Sequence, residues 1–281
     1  MRIIALPLFG FLVFGVALVS AQGSNPQYQA NSWNALAPGL SLCRWEVRKQ
    51  SELLDTIVIL RIHPEQWSFK VFFNREPKTM KEWQQATGAP ILCNGGFYQE
   101  NFLPAGRILT NGTSVGPITN RHMKGMFLAE PRKGFENLPK ATLIDLKAEG
   151  SESLLAAYEQ GIQSFPILLD TKGRIRVNPS NFQAHRTVLA LDGQGLIYLL
   201  VTEKPFFTLY ELGQYLKGMP LGFQFVLNLD GGNRSLLLVQ MKNFRYASEE
   251  QKEGLEPTRL LSPDRSVKLP TVLGLYPRKN L

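Results

Sequence analysis

Most apolar residues of this chain lie in short runs of strand length that are separated by Gly, Pro and Asn. Such runs, rich in Val, Ile, Leu and Phe, predict buried β-strands. Helical patterns are fewer, and the one that opens with Thr208 has Glu211 three residues later, which predicts a capped helix start. The predicted helices cover residues 79–87, 151–160 and 208–217, and the predicted strands cover residues 55–63, 69–73, 91–93, 126–129, 167–169, 187–191, 196–202, 223–229, 236–239 and 272–276. Strands therefore outnumber helices by about three to one.

The first residues of the chain predict export. Arg2 precedes an almost wholly apolar stretch over residues 3–19, and Ser20 and Ala21 are small residues suited to signal peptidase. We predict a signal peptide over residues 1–21, and a secreted or periplasmic mature protein. The alternative is a membrane anchor, because the apolar stretch approaches spanning length. The polar residues that follow Ala21 favour cleavage, after which no stable membrane insertion is expected.

The mature chain is predicted to form one domain, because no linker-like segment divides it. We place this domain at residues 55–281, after an N-terminal segment over residues 22–54. The two cysteines, Cys43 and Cys93, could form a disulfide in an oxidising compartment or remain free thiols, and the sequence leaves both open. The histidines are scattered, which argues against a structural zinc site, and no cofactor is predicted.

The charge of the chain points to an anionic partner. The formal net charge is +8, and basic exported proteins tend to meet anions. Lys and Arg are spread along the whole chain, without a basic run that contains interleaved aromatic residues. This distribution is unlike a nucleic-acid interface. The expected partner is therefore a phosphorylated or acidic glycan, with no nucleic acid.

Two predicted strands end in the same way, with a polar residue followed by two glycines. The run 89–93 leads into Asn94-Gly-Gly96, and the run 225–229 leads into Asp230-Gly-Gly232. Glycines just past a strand allow positive φ and let a ligand approach the main chain. Two such strand ends suggest one shared site. The alternative is a pair of hairpin turns, because Asn-Gly and Asp-Gly are strong hairpin signals.

Five motifs in the chain resemble, in order and rough spacing, those of the phosphodiester glycosidase family. They are Asn94-Gly-Gly-Phe-Tyr98, Pro104-Ala-Gly106, Gln163-Ser-Phe-Pro166, Arg186-Thr187 and Asn228-Leu-Asp-Gly-Gly232 with Ser235. The resemblance covers about residues 55–277 and implies an α+β single domain with a large mixed β-sheet core and flanking helices. It also implies hydrolysis of a sugar–phosphate phosphodiester, on the glycosidic C1–O side, in an exported or cell-surface glycan such as an exopolysaccharide. Tyr98 and Arg234 depart from the commoner family residues.

Asp230, Arg186 and Asn94 are the predicted catalytic residues. Cleavage on the sugar side needs a cation for the phosphate and a carboxylate for the oxocarbenium-like sugar. A guanidinium grips phosphate oxygens in a bidentate fork, so Arg186 is the preferred cation. Asp230 is the preferred carboxylate, and its role as nucleophile, base or electrostatic stabiliser stays open.

The predicted substrate-binding residues surround these three. Asn94 and Asn228 would hold sugar hydroxyls or the reacting water, and Tyr98 would stack on a sugar ring. Backbone amides of the glycines would line an anion cradle, and Gln163 would shape the wall. The full set is Gly95, Gly96, Tyr98, Gln163, Asn228, Gly231, Gly232 and Ser235, and any metal ligand is left open.

Two other functions compete with glycosidic hydrolysis. A non-catalytic module for anionic glycans could use the same cleft. An exported phosphodiesterase or nuclease would act on phosphorus, which usually requires a carboxylate cluster for two metals, and the motifs show one prominent carboxylate.

Several side chains are weaker candidates for the chemistry. Residues 112–116 match the Gly-x-Ser-x-Gly nucleophile elbow, but Pro117 follows where that motif needs a helix. Cys93 could be a thiol nucleophile, although its apolar strand favours packing or a disulfide. His185 is expected to face away from a site that its neighbour faces, and Glu100 is a second-rank general acid.

Overall fold

The computed structural model describes residues 31–118, 120–248 and 267–279. Within them the helices are α1 (Met80–Thr87), α2 (Ser151–Ala157) and α3 (Leu209–Gly218). The strands are β1 (Asn34–Ala37), β2 (Leu40–Lys49), β3 (Glu52–Ile62), β4 (Trp67–Lys78), β5 (Ile91–Asn94), β6 (Ile108–Thr110), β7 (Thr113–Val115), β8 (Gly125–Pro131), β9 (Ala141–Asp145), β10 (Tyr158–Ser164), β11 (Ile167–Leu169), β12 (Thr187–Asp192), β13 (Ile197–Thr202), β14 (Phe223–Asn228), β15 (Leu237–Met241), β16 (Phe244–Ala247) and β17 (Leu269–Pro277).

The strands form three sheets. The first sheet has the order β1-β2-β3-β13-β12-β14-β11, the second β7-β6-β10-β8-β9, and the third β16-β15-β5-β17-β4. Each ladder between these described strands is antiparallel. The fold is α+β and rich in strand, and antiparallel sheets replace the mixed sheet that the family resemblance implied. The first sheet includes residues on both sides of position 55, because β2 pairs along β3.

The three sheets pack their apolar faces around one shared core. Leu60 and Leu199 of the first sheet, Phe127 of the second, and Phe69 and Leu273 of the third are all fully buried in it. The rings of Phe69 and Phe127 meet edge to face with centroids 5.3 Å apart. The opposite face of the first sheet is covered by α3. Burial of this apolar surface is the main force that holds the sheets together.

The ten predicted strands are all present, with ends that differ by a few residues. The predicted helices over 79–87 and 208–217 are confirmed, and each begins with a capping box, formed by Thr79 with Glu82 and by Thr208 with Glu211. The predicted helix over 151–160 is wrong in its last turn, because Tyr158 already begins β10.

Strand β10, which the sequence patterns did not predict, carries polar residues into buried positions. Gln160 and Gln163 lie on β10 and are buried, so this strand lacks the apolar alternation that marks a strand. Gln160 accepts a hydrogen bond from the amide of Val71 at 2.9 Å and donates one to Asn111 at 3.0 Å. The hydrogen bonds of Gln160 thus link β10 of the second sheet to β4 of the third.

The serine motif at residues 112–116 is part of a hairpin. Gly112 lies in the turn between β6 and β7, and Ser114 is an exposed residue of β7. The helix that a nucleophile elbow requires is absent at this position, as the sequence predicted.

Both cysteines are free and buried, so the disulfide alternative is not realised in this structure. Burial raises the pKa of the Cys43 thiol to about 11 and raises that of Cys93 further. A neutral buried thiol is a poor nucleophile, which removes support for thiol chemistry at Cys93.

The predicted signal peptide lies outside the described residues, and among those that are described no helix is long and apolar enough to span a membrane.

Asp55 on β3 is a fully buried carboxylate with one unpaired oxygen. Its Oδ1 accepts hydrogen bonds from the amides of Thr56 at 2.7 Å and Lys204 at 2.8 Å, whereas its Oδ2 has no partner in the described structure. Burial, with a smaller contribution from Glu203, raises its pKa from 3.8 to about 7. Because the folded state binds a proton that the unfolded state has released, this group makes stability fall as pH rises between those values.

We expect Asp55→Asn to flatten this pH dependence, because the amide mimics the protonated acid. The free energy of unfolding, measured by urea titration between the two pKa values of 3.8 and about 7, should fall in the wild type by up to about 1.4 kcal/mol per pH unit. The variant should keep the part of the slope that belongs to Glu203 and Asp230, because burial raises the pKa of both carboxyl groups. The exposed substitution Glu65→Gln is the control, and equal slopes in Asp55→Asn and the control would contradict the assignment.

Candidate functional site

Both Gly-Gly turns connect strands of different sheets. Asn94 ends β5 of the third sheet, and the chain continues to β6 of the second. Asp230 follows β14 of the first sheet, and the chain continues through a short 3-10 turn over Gly232–Arg234 to β15 of the third. A hairpin joins neighbouring strands of one sheet, so the hairpin interpretation is wrong for both turns.

The side chain of Asn94 joins the two turns directly. Its Nδ2 donates to the backbone carbonyl of Asp230 at 2.9 Å and to that of Gly95 at 3.2 Å. Its Oδ1 accepts from the Thr187 hydroxyl at 2.8 Å and from the Leu236 amide at 3.0 Å. The prediction that the two strand ends meet is therefore confirmed.

These four bonds change the expected role of Asn94. A carboxamide has two donor hydrogens and two acceptor lone pairs, and all of them are used within the protein. The hypothesis that this buried side chain holds sugar hydroxyls is therefore not supported. Asn94 instead positions the Asp230 turn.

Asp230 is 5% exposed at the end of β14. Its Oδ1 accepts from the amide of Gly231 at 2.9 Å, and its Oδ2 lies 3.3 Å from Nη1 of Arg234. Burial raises the pKa of this carboxyl, and the charge of Arg234 and the Gly231 amide oppose that shift. Arg234 also lies over the ring of Tyr98, with its guanidinium carbon 4.3 Å from the ring centroid.

Arg186 is 5% exposed and is held by backbone carbonyl groups. Its Nη2 donates to Phe182 at 2.7 Å and its Nε to Phe207 at 3.3 Å. Nη1 lies 3.9 Å from the position that a Cβ would take on Gly231, so this cation borders the Asp230 turn. Among the described residues no carboxylate lies within ion-pair distance of its guanidinium. Desolvation lowers its pKa, and arginine nevertheless stays charged.

The glycines do not form the predicted anion cradle. The amide of Gly95 donates to the Thr271 carbonyl at 2.9 Å, that of Gly231 to Asp230, and that of Gly232 to the His185 carbonyl at 2.8 Å. Three of the four amides are thus engaged, which corrects the interpretation of an open cradle.

Close packing explains two of these glycines better than unusual backbone angles. A Cβ on Gly95 would lie 2.6 Å from Thr271, and one on Gly96 would lie 3.0 Å from Ile162. Of the four, only Gly232 has a left-handed φ, of 66°. The Asn94 turn therefore requires glycine because neighbouring strands approach its backbone closely, whereas the Asp230 turn requires glycine at position 232 for its backbone angle.

The other predicted binding residues do not all lie beside the Asp230 turn. Asn228 is buried, its Nδ2 donates to the Phe165 carbonyl at 3.0 Å, and its Oδ1 has no partner in the described structure. Ser235 is buried at the end of the 3-10 turn. Tyr98 is half-buried beneath Arg234. Gln163 instead lies in the second sheet, and its side chain bonds the amide of Arg107 and the carbonyl groups of Asn120 and Met123.

Two parts of the arrangement were not predicted. Thr187 was part of a motif, but its hydroxyl bond to Asn94 was not foreseen, because a bond across 93 positions leaves no local pattern. The contact of Arg234 with both Asp230 and Tyr98 was likewise missed, although its position four residues after Asp230 was a possible signal. The ring of His185 lies near the Thr202 carbonyl, and Glu100 is exposed. Within the ranges that the structure describes, no three His, Cys, Asp or Glu side chains are grouped as metal ligands.

We expect Asn94→Ala to lower the free energy of unfolding by about 2–4 kcal/mol. The reason is that the buried Thr187 hydroxyl, Leu236 amide and Asp230 carbonyl would lose their hydrogen-bond partner. Chemical denaturation should show the loss. Asn181→Ala, which truncates an exposed carboxamide, should change stability by less than about 0.5 kcal/mol. A loss for Asn94→Ala as small as that of the control would contradict the positioning role.

The chain is similar in sequence and fold to known proteins. The family model for phosphodiester glycosidases matches residues 87–273. The catalytic domain of zebrafish N-acetylglucosamine-1-phosphodiester alpha-N-acetylglucosaminidase, auto-inhibited by its pro-peptide, has a similar structure with a TM-score of 0.62 and 16% identity, over 89% of this chain and 87% of that one. A hypothetical protein from Synechocystis matches with a TM-score of 0.58 and 14% identity, over 86% of this chain and 63% of that one.

No curated protein sequence matches the chain significantly, and at these identities the two solved structures establish likeness of fold. The family model is more informative, because it covers well over half of the chain and includes both Gly-Gly turns, Arg186 and Asp230. The protein belongs to the phosphodiester glycosidase family.

Proposed function

We propose that the protein hydrolyses the bond between a sugar anomeric carbon and a phosphodiester oxygen in an exported or cell-surface glycan. The observation that carries the proposal is the buried Arg186 guanidinium, which borders the Asp230 turn and has no carboxylate partner among the described residues. A buried cation without a counter-ion is costly. A substrate phosphate would supply the missing negative charge.

Arg186 would bind the phosphate on the leaving side. The carbonyl groups of Phe182 and Phe207 fix the plane of its guanidinium, so little side-chain freedom is lost when an anion binds. Phosphate is a weakly basic leaving group, and neutralising its charge lowers the need for a general acid. This role is consistent with the solvent exposure of Glu100, the second-rank general acid.

Asp230 would act on the sugar. Its burial strengthens its interaction with a developing oxocarbenium-like charge, and Arg234 and the Gly231 amide favour its ionised form. The Arg234 side chain is 45% exposed, so its ion pair is partly screened by water and can rearrange when substrate arrives. Nucleophile, base for a water and electrostatic stabiliser are all roles that this position allows.

The proposed setting is the periplasm or the cell exterior. It is supported by the apolar stretch over residues 3–19 with small residues before position 22, and by a formal net charge of +8. Both features fit a protein that is exported and meets phosphorylated or acidic glycans.

We expect Asp230→Asn to keep the fold and to lower turnover of a sugar-1-phosphodiester on the order of 10³-fold, because the amide is nearly isosteric and only the charge is lost. Steady-state rates and melting temperatures measure the two effects. Glu100→Gln is the matched control and should leave the rate within a few-fold. A folded Asp230→Asn variant with a near wild-type rate would refute the assignment.

We expect Arg186→Lys to lower turnover of the phosphodiester by about 10²-fold despite the retained charge, because an ammonium cannot form the bidentate fork. On an aryl glycoside of the same sugar the loss should be less than about tenfold, since no phosphate is held. Arg75→Lys, at an exposed position, is the control. Equal losses on both substrates would argue against a phosphate role.

The same assay separates the competing functions. In ¹⁸O-labelled water, cleavage on the sugar side places the label in the released sugar, whereas attack on phosphorus places it in the phosphate. Label in the phosphate would identify a phosphodiesterase. Saturable binding without turnover would identify a glycan-binding module.

A further inference from the structure

A second positively charged site lies at one end of the second sheet. A cavity of about 320 Å³ opens there, and its lining includes Arg107, Arg121, Lys124 and Lys147. The single acidic residue in this lining is Glu152. Four cations against one carboxylate leave an excess of positive charge in a concave space, which concentrates anions.

The cations of this cavity have few partners within the protein. Arg107 is only 14% exposed, and its ion pair to Glu152 spans 3.9 Å and involves a carboxylate that is 83% exposed. Water screens such a pair strongly. Arg121, Lys124 and Lys147 form no ion pair with any residue that the structure describes. The nearby carboxylate of Asp145 is already paired with Arg176 at 3.2 Å.

Gln163 holds this cavity in shape. Its buried Oε1 accepts from the amide of Arg107 at 2.8 Å, and its Nε2 donates to the carbonyl groups of Asn120 at 3.3 Å and Met123 at 2.8 Å. The Arg107 guanidinium also donates to the carbonyl of Ile118. One side chain thus fixes the segments that carry three of the four cations, so the site is organised before any ligand binds.

The antiparallel sheet explains why cations distant in sequence converge here. Residue 107 precedes β6, residues 121 and 124 precede β8, and residue 147 follows β9. In the ladders, Ile162 of β10 pairs with Ile108 of β6, and Gly125 of β8 pairs with both Ser164 and Asp145. The start of β6, the start of β8, the end of β9 and the end of β10 therefore meet at the same end of the second sheet.

We propose that this cavity is a second anion-binding site, distinct from the Arg186–Asp230 site, that takes a phosphate carried on a single sugar. The cations match a phosphate, and the buried side chains of Met126 and Leu155 give the cavity an apolar floor against which a sugar ring can pack. The volume is at the small end of the range for ligand pockets, which suits one sugar rather than a long oligosaccharide. The ligand could be a free sugar phosphate or a phosphorylated unit of a glycan.

The site lies on the opposite side of β10 from the strand end that carries Asn228. Gln163 faces the cavity, whereas the hydroxyl of its neighbour Ser164 donates to the Asn228 carbonyl at 2.7 Å. Adjacent strand residues point to opposite faces. The proposal therefore does not depend on the reaction proposed for Asp230, and each can fail without the other.

Isothermal titration calorimetry with glucose 6-phosphate tests the proposal, with glucose as the neutral comparison. We expect saturable binding of the phosphate ester that weakens with added salt, and no binding of glucose. The double variant Arg121→Ala/Lys124→Ala should weaken binding at least about tenfold, because two charge-assisted contacts are lost. Arg75→Ala/Lys133→Ala removes the same charge from exposed positions elsewhere and should leave the affinity within about twofold.

A third variant and a second probe assign the site and the source of the ligand. Arg186→Lys should retain the binding if it occurs in the cavity; loss in this variant together with full binding by Arg121→Ala/Lys124→Ala would overturn the proposal. Equal weakening in both double variants, or no binding of glucose 6-phosphate by the wild type, would also overturn it. Tighter binding of a short phosphorylated oligosaccharide would support a glycan as the source, and equal or weaker binding would support the free sugar phosphate.

Discussion

The buried carboxamide of Asn94 is the contact on which the candidate site depends. It reaches from the end of the third sheet to Thr187 on the first sheet and to the Asp230 turn, and it satisfies polar groups that are buried. A buried polar group that loses its partner costs more free energy than a typical hydrogen bond contributes. The two sheets are therefore fixed in relative position at the point where Arg186 borders the Asp230 turn.

Local patterns revealed the strands and the two Gly-Gly turns, because apolar runs and glycines are signals within a few residues. The partners of the polar groups were not predictable in the same way. Asn94 bonds an amide 142 positions away, and the amides of Gly95 and Gly232 bond the carbonyl groups of Thr271 and His185, which are distant in sequence. Which polar atoms remain available to a substrate is decided by tertiary packing, so residue type alone suggested sugar contacts for Asn94 and an amide cradle that the fold uses for itself.

The same limit applies to charge. Along the sequence, Lys and Arg are spread evenly, and that distribution indicated no concentrated interface. Antiparallel pairing brings the ends of β6, β8 and β9 together at one end of the second sheet and places four cations around one cavity. Strand β10 was the least predictable element of this region, because glutamines occupy positions where a strand pattern needs apolar side chains. The side chain of Gln163 on this strand joins the cavity to the loop that carries Arg121.

The order of strands in the third sheet has a consequence for how the site forms during folding. β5, which presents Asn94, pairs on one side with β15 and on the other with β17, and Val272 lies opposite Asn94 in that ladder. Both neighbours come from the last part of the described chain, so contacts of long sequence separation must close before β5 is held from both sides. Such contacts form slowly, because the entropy of loop closure must be overcome first. We infer that Asn94 can hold the Asp230 turn only after residues 269–277 have joined the third sheet, so this site is among the last parts of the fold to form.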